Sequence, residues 1–184
     1  MVSMAYSVAF RGIEACLVEV QCALAPGLPG FTVVGLPDKA VSEAKERVRA
    51  ALAGMAIAFP SKKVTINLSP ADLPKEGSHF DLPIAVALLA ALEIIPGEAA
   101  QATVALGELS LDGTIVPVTG ALPAAMTAAE EGLTLLCPVA CGKEAAWVSQ
   151  AEVIGAKTLG DVVRHFSGQV PISPASPGEV TTGP

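Results

Sequence analysis

An α+β fold in two layers is the architecture this sequence predicts, and three observations point to it. Strand-like alternation of apolar and polar residues fills the chain before Asp38. Helical periodicity then interleaves with further strands as far as Phe166. The most apolar stretch, residues 82–95, is polar only at Glu93 and long enough for a buried helix.

The first strand, residues 4–10, puts Met4, Tyr6, Val8 and Phe10 on one face and Ala5, Ser7 and Ala9 on the other. A second turns Cys16, Val18, Val20, Cys22 and Leu24 inward and Glu19 and Gln21 outward. Gly27 and Gly30 bound a turn, and residues 31–34 form a third strand. Asp38, following Pro37, is the expected N-cap of a helix reaching about residue 53, with Val41, Ala44, Val48 and Leu52 on one stripe and Gly54 ending it. In residues 62–68, Val64, Ile66 and Leu68 point one way, and Lys63, Thr65 and Asn67 the other.

A polar loop, 69–81, leads into the apolar helix 82–95, with Pro83 in its first turn. Residues 103–111 and 114–118 predict a hairpin turning at Asp112 and Gly113. An alanine-rich helix (122–131), a buried strand (133–137), a helix (143–149), a short strand (153–154) and a helix (159–166) complete the domain, assigned to residues 1–167. Gly, Pro, Ser and Thr dominate from Gly168 onward, so 168–184 reads as a flexible linker toward a further module, as in a chain cut from something longer.

Composition narrows the class. At 184 residues with few aromatics, the core is built from Ala, Val, Leu and Ile, and a domain this size needs no staple. The longest apolar run, 82–92, falls short of the about 20 residues that a membrane span requires. No basic residue precedes Arg11, so no signal-peptide pattern opens the chain, and a soluble cytoplasmic protein without membrane partners is expected. Cys16, Cys22, Cys137 and Cys141 lack zinc spacing and read as buried reduced thiols.

The net charge of −7 is unevenly spread. Between Asp38 and Lys75 lie seven basic residues (Lys39, Lys45, Arg47, Arg49, Lys62, Lys63 and Lys75) and four acids, leaving that span at +3 and the rest at −10. The net charge argues against a general nucleic-acid binder, while the asymmetry permits one basic face on an acidic body. A solvated mixed-charge helix face is the plainer reading of the same residues. No aromatics alternate with them to favour stacking on single strands.

No phosphate-binding loop pattern is present, the glycines at 27, 30 and 35 are turn glycines, and no metal-ligand cluster appears; His79 and His165 stand alone. The informative segment is the polar loop entering the buried helix, which carries Lys75, Glu76, Gly77, Ser78, His79 and Asp81. Free backbone N–H groups at a helix start are able to hold an anion. By residue type alone, a tight turn capped by Asp81 is the simpler expectation.

Lys75-Glu-Gly-Ser-His-Phe-Asp-Leu-Pro-Ile-Ala85 resembles the nucleophile segment of Lon-type proteases, and Gly107-Glu-Leu-Ser-Leu-Asp-Gly-Thr-Ile-Val-Pro-Val-Thr-Gly120 resembles a second Lon stretch. GLPGFTVVGLPDKAVSEAKERVR, from Gly27 to Arg49, and INLSPADLPKEG, from Ile66 to Gly77, are similar to signatures of the ComM/YifB family of magnesium-chelatase-like AAA+ ATPases. The resemblance covers about residues 4–166. It implies a Lon-protease-like domain of the ribosomal protein S5 domain 2-like type. It also implies a parent that is a hexameric ATP-driven DNA motor, associated with branch migration in natural transformation. ATP and Mg would belong to its separate ATPase module, and no cofactor to this domain.

The Lon resemblance also marks a departure. Lon chemistry uses a serine activated by a lysine, whose neutral amine takes the hydroxyl proton. Aligned on Lys75, Glu76 and Gly77, the nucleophile position falls on His79, with Ser78 one place early; the lysine position falls near Leu122. No lysine or arginine lies between Lys75 and Lys143. The expectation is a degenerate site without catalysis; the resemblance further implies a domain serving assembly and a DNA path, for which Lys39, Lys45, Arg47, Arg49, Lys62, Lys63 and Lys75 are the candidate contacts. The alternative is a serine peptidase using Ser78 with a distant lysine.

Overall fold

The computed structural model describes residues 2–178. β1 (Val2–Arg11) and β2 (Glu14–Ala25) form a long antiparallel hairpin, β3 (Gly30–Val34) follows, and α1 (Asp38–Gly54) leads to β4 (Lys63–Ser69). A 3-10 turn (Ser78–Phe80) runs straight into α2 (Asp81–Ala91), then α3 (Gly97–Gln101) and β5 (Thr103–Ala105). β6 (Glu108–Leu109) and β7 (Ile115–Val116) pair with each other, apart from the main sheet. α4 (Ala121–Glu130), β8 (Thr134–Pro138), α5 (Gly142–Ala145), β9 (Val153–Ala156) and α6 (Leu159–Phe166) close the chain.

Seven strands make one sheet in the order β3-β4-β2-β1-β5-β8-β9. β3/β4, β1/β5, β5/β8 and β8/β9 are parallel, and only β1/β2 and β2/β4 are antiparallel, so the fold is mixed α/β with a mostly parallel sheet.

The expected two layers hold only for half of this sheet. Ala5 and Ala9 of β1 join a cluster with Val48 and Leu52 of α1, Leu82 and Leu88 of α2, and Ile66 and Leu68 of β4. Val8, between them in sequence, faces the opposite side and packs with Val104, Leu135 and the alanines of α4 (Ala121, Ala124, Ala128). Helices therefore cover both faces around β1, β5 and β8. The physical reason lies in β1: alternation there separates two apolar sets, so both faces need cover.

Local expectations are corrected in several places. Asp38 is the first helical residue, and no side chain caps α1. The apolar helix runs from Asp81 and stops at Ala91, short of the expected residue 95, and α3 follows beyond that run as a separate short helix. The first hairpin arm divides: residues 103–105 join the main sheet, and only Glu108 and Leu109 pair across to Val116 and Ile115. The helix expected over 143–149 is the four-residue α5.

From Gly168 to Gly178 the chain forms no helix or strand, yet it is held against the body beside β9, the edge strand. The Ala175 N–H donates to the Val153 carbonyl at 2.8 Å, Ile172 N–H to His165 Nδ1 at 2.9 Å, and Gly178 N–H to the Lys143 carbonyl at 3.3 Å. The remainder of the expected linker, 179–184, lies outside the described residues. Among the described residues, no helix is long and apolar enough to cross a membrane.

Cys22, Cys137 and Cys141 are buried and Cys16 half-buried, all as free thiols. Burial pushes the Cys22 and Cys137 thiols up to about 12, which keeps them protonated and inert.

Candidate functional site

The loop entering α2 is fixed from three directions. The Gly107 N–H donates to the His79 carbonyl, and the Leu82 N–H to the Gly107 carbonyl, both at 3.0 Å, which clamps the 3-10 turn to the chain between β5 and β6. His79 is buried, and its Nε2 donates to the Val8 carbonyl of β1 at 2.7 Å. Its ring packs near those of Phe10 (centroids 5.3 Å apart) and Phe80 (4.1 Å). Burial lowers the His79 pKa, opposed by the bond to Val8, and so favours the neutral ring.

Asp81 does not cap the turn as residue type suggested. Its carboxylate accepts Arg47 Nε at 2.6 Å, Arg47 Nη2 at 3.1 Å and the Leu109 N–H at 3.0 Å. Burial pushes the Asp81 carboxyl upward, against the pull of Arg47 and the Leu109 N–H, while the Asp81 hydrogen bond raises Arg47 further. A fork–carboxylate pair of this kind joins α1, α2 and β6 at one point.

Lys75 is buried as well. Its Nζ donates to the Pro70 carbonyl and, at 2.8 Å, to the Leu73 carbonyl, and burial lowers its pKa against the attraction of Asp72. The ammonium closes its own loop and points at no hydroxyl.

An open cavity of about 460 Å³ is lined by Phe10, Glu76, Gly77, Ser78, His79, Pro117, Val118 and Thr119. The two segments singled out in the sequence, around Ser78 and ahead of Gly120, therefore do meet. No lysine or arginine is among the lining residues. Lys143 lines a different cavity, with residues 172–178, and Lys157 another, with Asp161 and Arg164. Leu122, nearest to the Lon lysine position, is half-buried in the first turn of α4. Gly120, at φ 95°, sits against the Phe10 ring so closely that a Cβ there would lie 2.3 Å from Phe10 Cζ. Phe10 and Val8 were not legible as parts of this site: in sequence they are ordinary members of an alternating strand.

The candidate DNA contacts separate into two groups. Arg47 is committed to Asp81 and Lys75 to backbone carbonyls, so both leave the candidate cationic face. Lys39, Arg49, Lys62 and Lys63 are exposed and Lys45 half-buried. Arg49 lies over the Phe59 ring at 4.3 Å and the Phe31 ring at 5.5 Å. Phe31 is adjacent to Gly30, which pairs with Lys63 and donates to the Lys62 carbonyl, so Arg49, Lys62 and Lys63 gather around the start of β3 and β4.

The family model described as subunit ChlI of Mg-chelatase matches residues 18–140, two-thirds of the chain. The chain is 42% identical to competence protein ComM of Haemophilus influenzae over 167 residues, 91% of this chain and 33% of that protein. The chain belongs to the ComM/YifB family. Further ComM/YifB relatives are the uncharacterized YifB proteins of Escherichia coli (43% identical, 73% of this chain and 26% of that protein) and Salmonella typhimurium (40%, with 86% and 31%). The chain spans about a third of the length of the curated relatives it matches. Within the ChlI match fall the Arg47–Asp81 pair and the cavity residues from Glu76 to Thr119.

Proposed function

We propose that this chain serves as the non-catalytic, Lon-protease-like domain of a ComM-like AAA+ ATPase that works on DNA. The parent would act in branch migration during natural transformation, as a cytoplasmic hexamer using ATP and Mg in its ATPase module. The domain contributes a rigid block for ring assembly and a cationic face for DNA. Its relationship to ComM supports the first part, and the mixed sheet with buried α2 suits the S5 domain 2-like reading. Motor rings close through heterologous contacts between subunits, which rigid folded blocks are suited to make.

The observation that carries the non-peptidase reading is the fate of Lys75. The nearest lysine in sequence to Ser78 gives its amine to the Pro70 and Leu73 carbonyls, and the cavity beside Ser78 contains no other. Lon chemistry depends on a lysine amine to take the serine proton, and Ser78 has none beside it. Treating the chain with a fluorophosphonate probe tests this. No modification at Ser78 is expected, and labelling that disappears in Ser78→Ala would make the domain a peptidase instead.

A further inference from the structure

His79 carries an unused hydrogen-bonding atom. The residue is 5% exposed, and Nε2 donates to the Val8 carbonyl, which accepts only. In the neutral ring the other nitrogen, Nδ1, is then a lone-pair acceptor. Among the described residues Nδ1 makes no hydrogen bond, while no fully buried side-chain nitrogen or oxygen goes without a partner. Nδ1 therefore opens into the cavity that His79 lines. Gly77 keeps it open: a Cβ on Gly77 would lie 2.7 Å from Nδ1 and cover it.

The surrounding chemistry selects the ligand. Glu76 adds a carboxylate to the same cavity, and Phe10 adds an aromatic ring able to face a cation. Pro117 and Val118 give an apolar wall, and no cationic side chain is present to hold an anion. We propose that this cavity binds a small molecule carrying an ammonium group on a short apolar stem. The ammonium donates to His79 Nδ1 and pairs with the Glu76 carboxylate, and the stem packs on Phe10, Pro117 and Val118. The lowered pKa of His79 keeps its ring neutral, as an acceptor, near neutral pH.

The test is long-range proton–nitrogen NMR on the whole chain, following the His79 ring nitrogens during titration with phenethylammonium and, separately, 3-phenylpropionate. For a fragment of this size, phenethylammonium is expected to move Nδ1 saturably with a Kd on the order of 1 mM. Glu76→Gln, an exposed substitution with no packing role, should weaken binding roughly three- to tenfold, and Gly77→Ala should abolish it. Two results overturn the proposal: phenylpropionate binding as tightly as the amine, or neither probe moving His79. An unchanged affinity in Glu76→Gln would overturn the assignment of the charge partner.

Discussion

Arg47 and Asp81, 34 residues apart in sequence, form a two-bonded ion pair that fixes α1 against the first turn of α2. Asp81 is 1% exposed and also accepts the Leu109 N–H, so one carboxylate ties three elements together. Removing either partner strands the other where water reaches it poorly. Asp81→Ala is expected to lower unfolding stability by about 3 kcal/mol in urea titration. Replacing both residues by apolar ones of similar volume should recover much of that loss, and a double-variant loss equal to the sum of the two single losses would show that the pair is not coupled.

The buried His79 makes stability depend on pH. Its folded-state pKa is lowered from the ordinary 6.5, so on acidification the unfolded chain takes the proton first. The His79 contribution is complete above that ordinary value and is lost as pH falls through it toward the folded pKa. Urea midpoints measured at about pH 7 and about pH 5 should differ more in the parent chain than in His79→Gln, which has nothing to titrate there. Equal differences in the two would remove His79 from the account.

Gly120 combines a left-handed backbone with contact on the Phe10 ring. Gly120→Ala should cost about 2–4 kcal/mol, from strain at positive φ and from the displaced ring. Phe10→Leu in the same chain should return part of it, since the clash is with the far edge of the ring. Thermal unfolding of the two variants is the measurement, and an additive loss would mean that the ring is not the obstacle.

Around the start of β3 and β4, Lys62 and Lys63 remain exposed and unpaired by any ion pair among the described residues. If they contact phosphates in the full-length protein, Lys62→Glu with Lys63→Glu should weaken DNA binding and reduce the salt slope by about 2. Lys75→Glu is a poor comparison, because burying a carboxylate among carbonyls would disturb the loop. An unchanged salt slope would move the DNA-binding face elsewhere.

The segment from Gly168 to Gly178 should resist hydrogen exchange at Ile172 and Ala175, unlike a free linker of the same composition. Ala175→Pro deletes the donor to Val153 and should speed exchange at Ile172 while costing about 1 kcal/mol. Rapid exchange at both amides in the parent chain would show that this docking is not maintained in solution.

Much of the fold was legible because local rules sufficed. The alternation in β1, β2 and β4, the apolar run of α2 and the ending of α6 each follow from residue periodicity. The two Lon-like segments were legible in the sequence one by one, but their meeting around one cavity is a product of the tertiary structure. The boundaries of the apolar helix and the Asp112 hairpin were less legible, because strand pairing and burial elsewhere in the chain decide where such elements stop.

By itself, the sequence determined the order of the longer strands and helices, the family and the location of the informative loop, all of which depend on residues close along the chain. Tertiary structure decided which charges remain free. Lys75 and Arg47 look no different from Lys62 or Arg49 in composition, but folding buries the Lys75 amine among carbonyls and locks Arg47 to Asp81. It also decided that His79 holds the Val8 carbonyl with one nitrogen and leaves the other open. The physical reason is the same in each case: a charged or polar side chain is defined by its partner, and these partners are brought into reach only when the sheet closes.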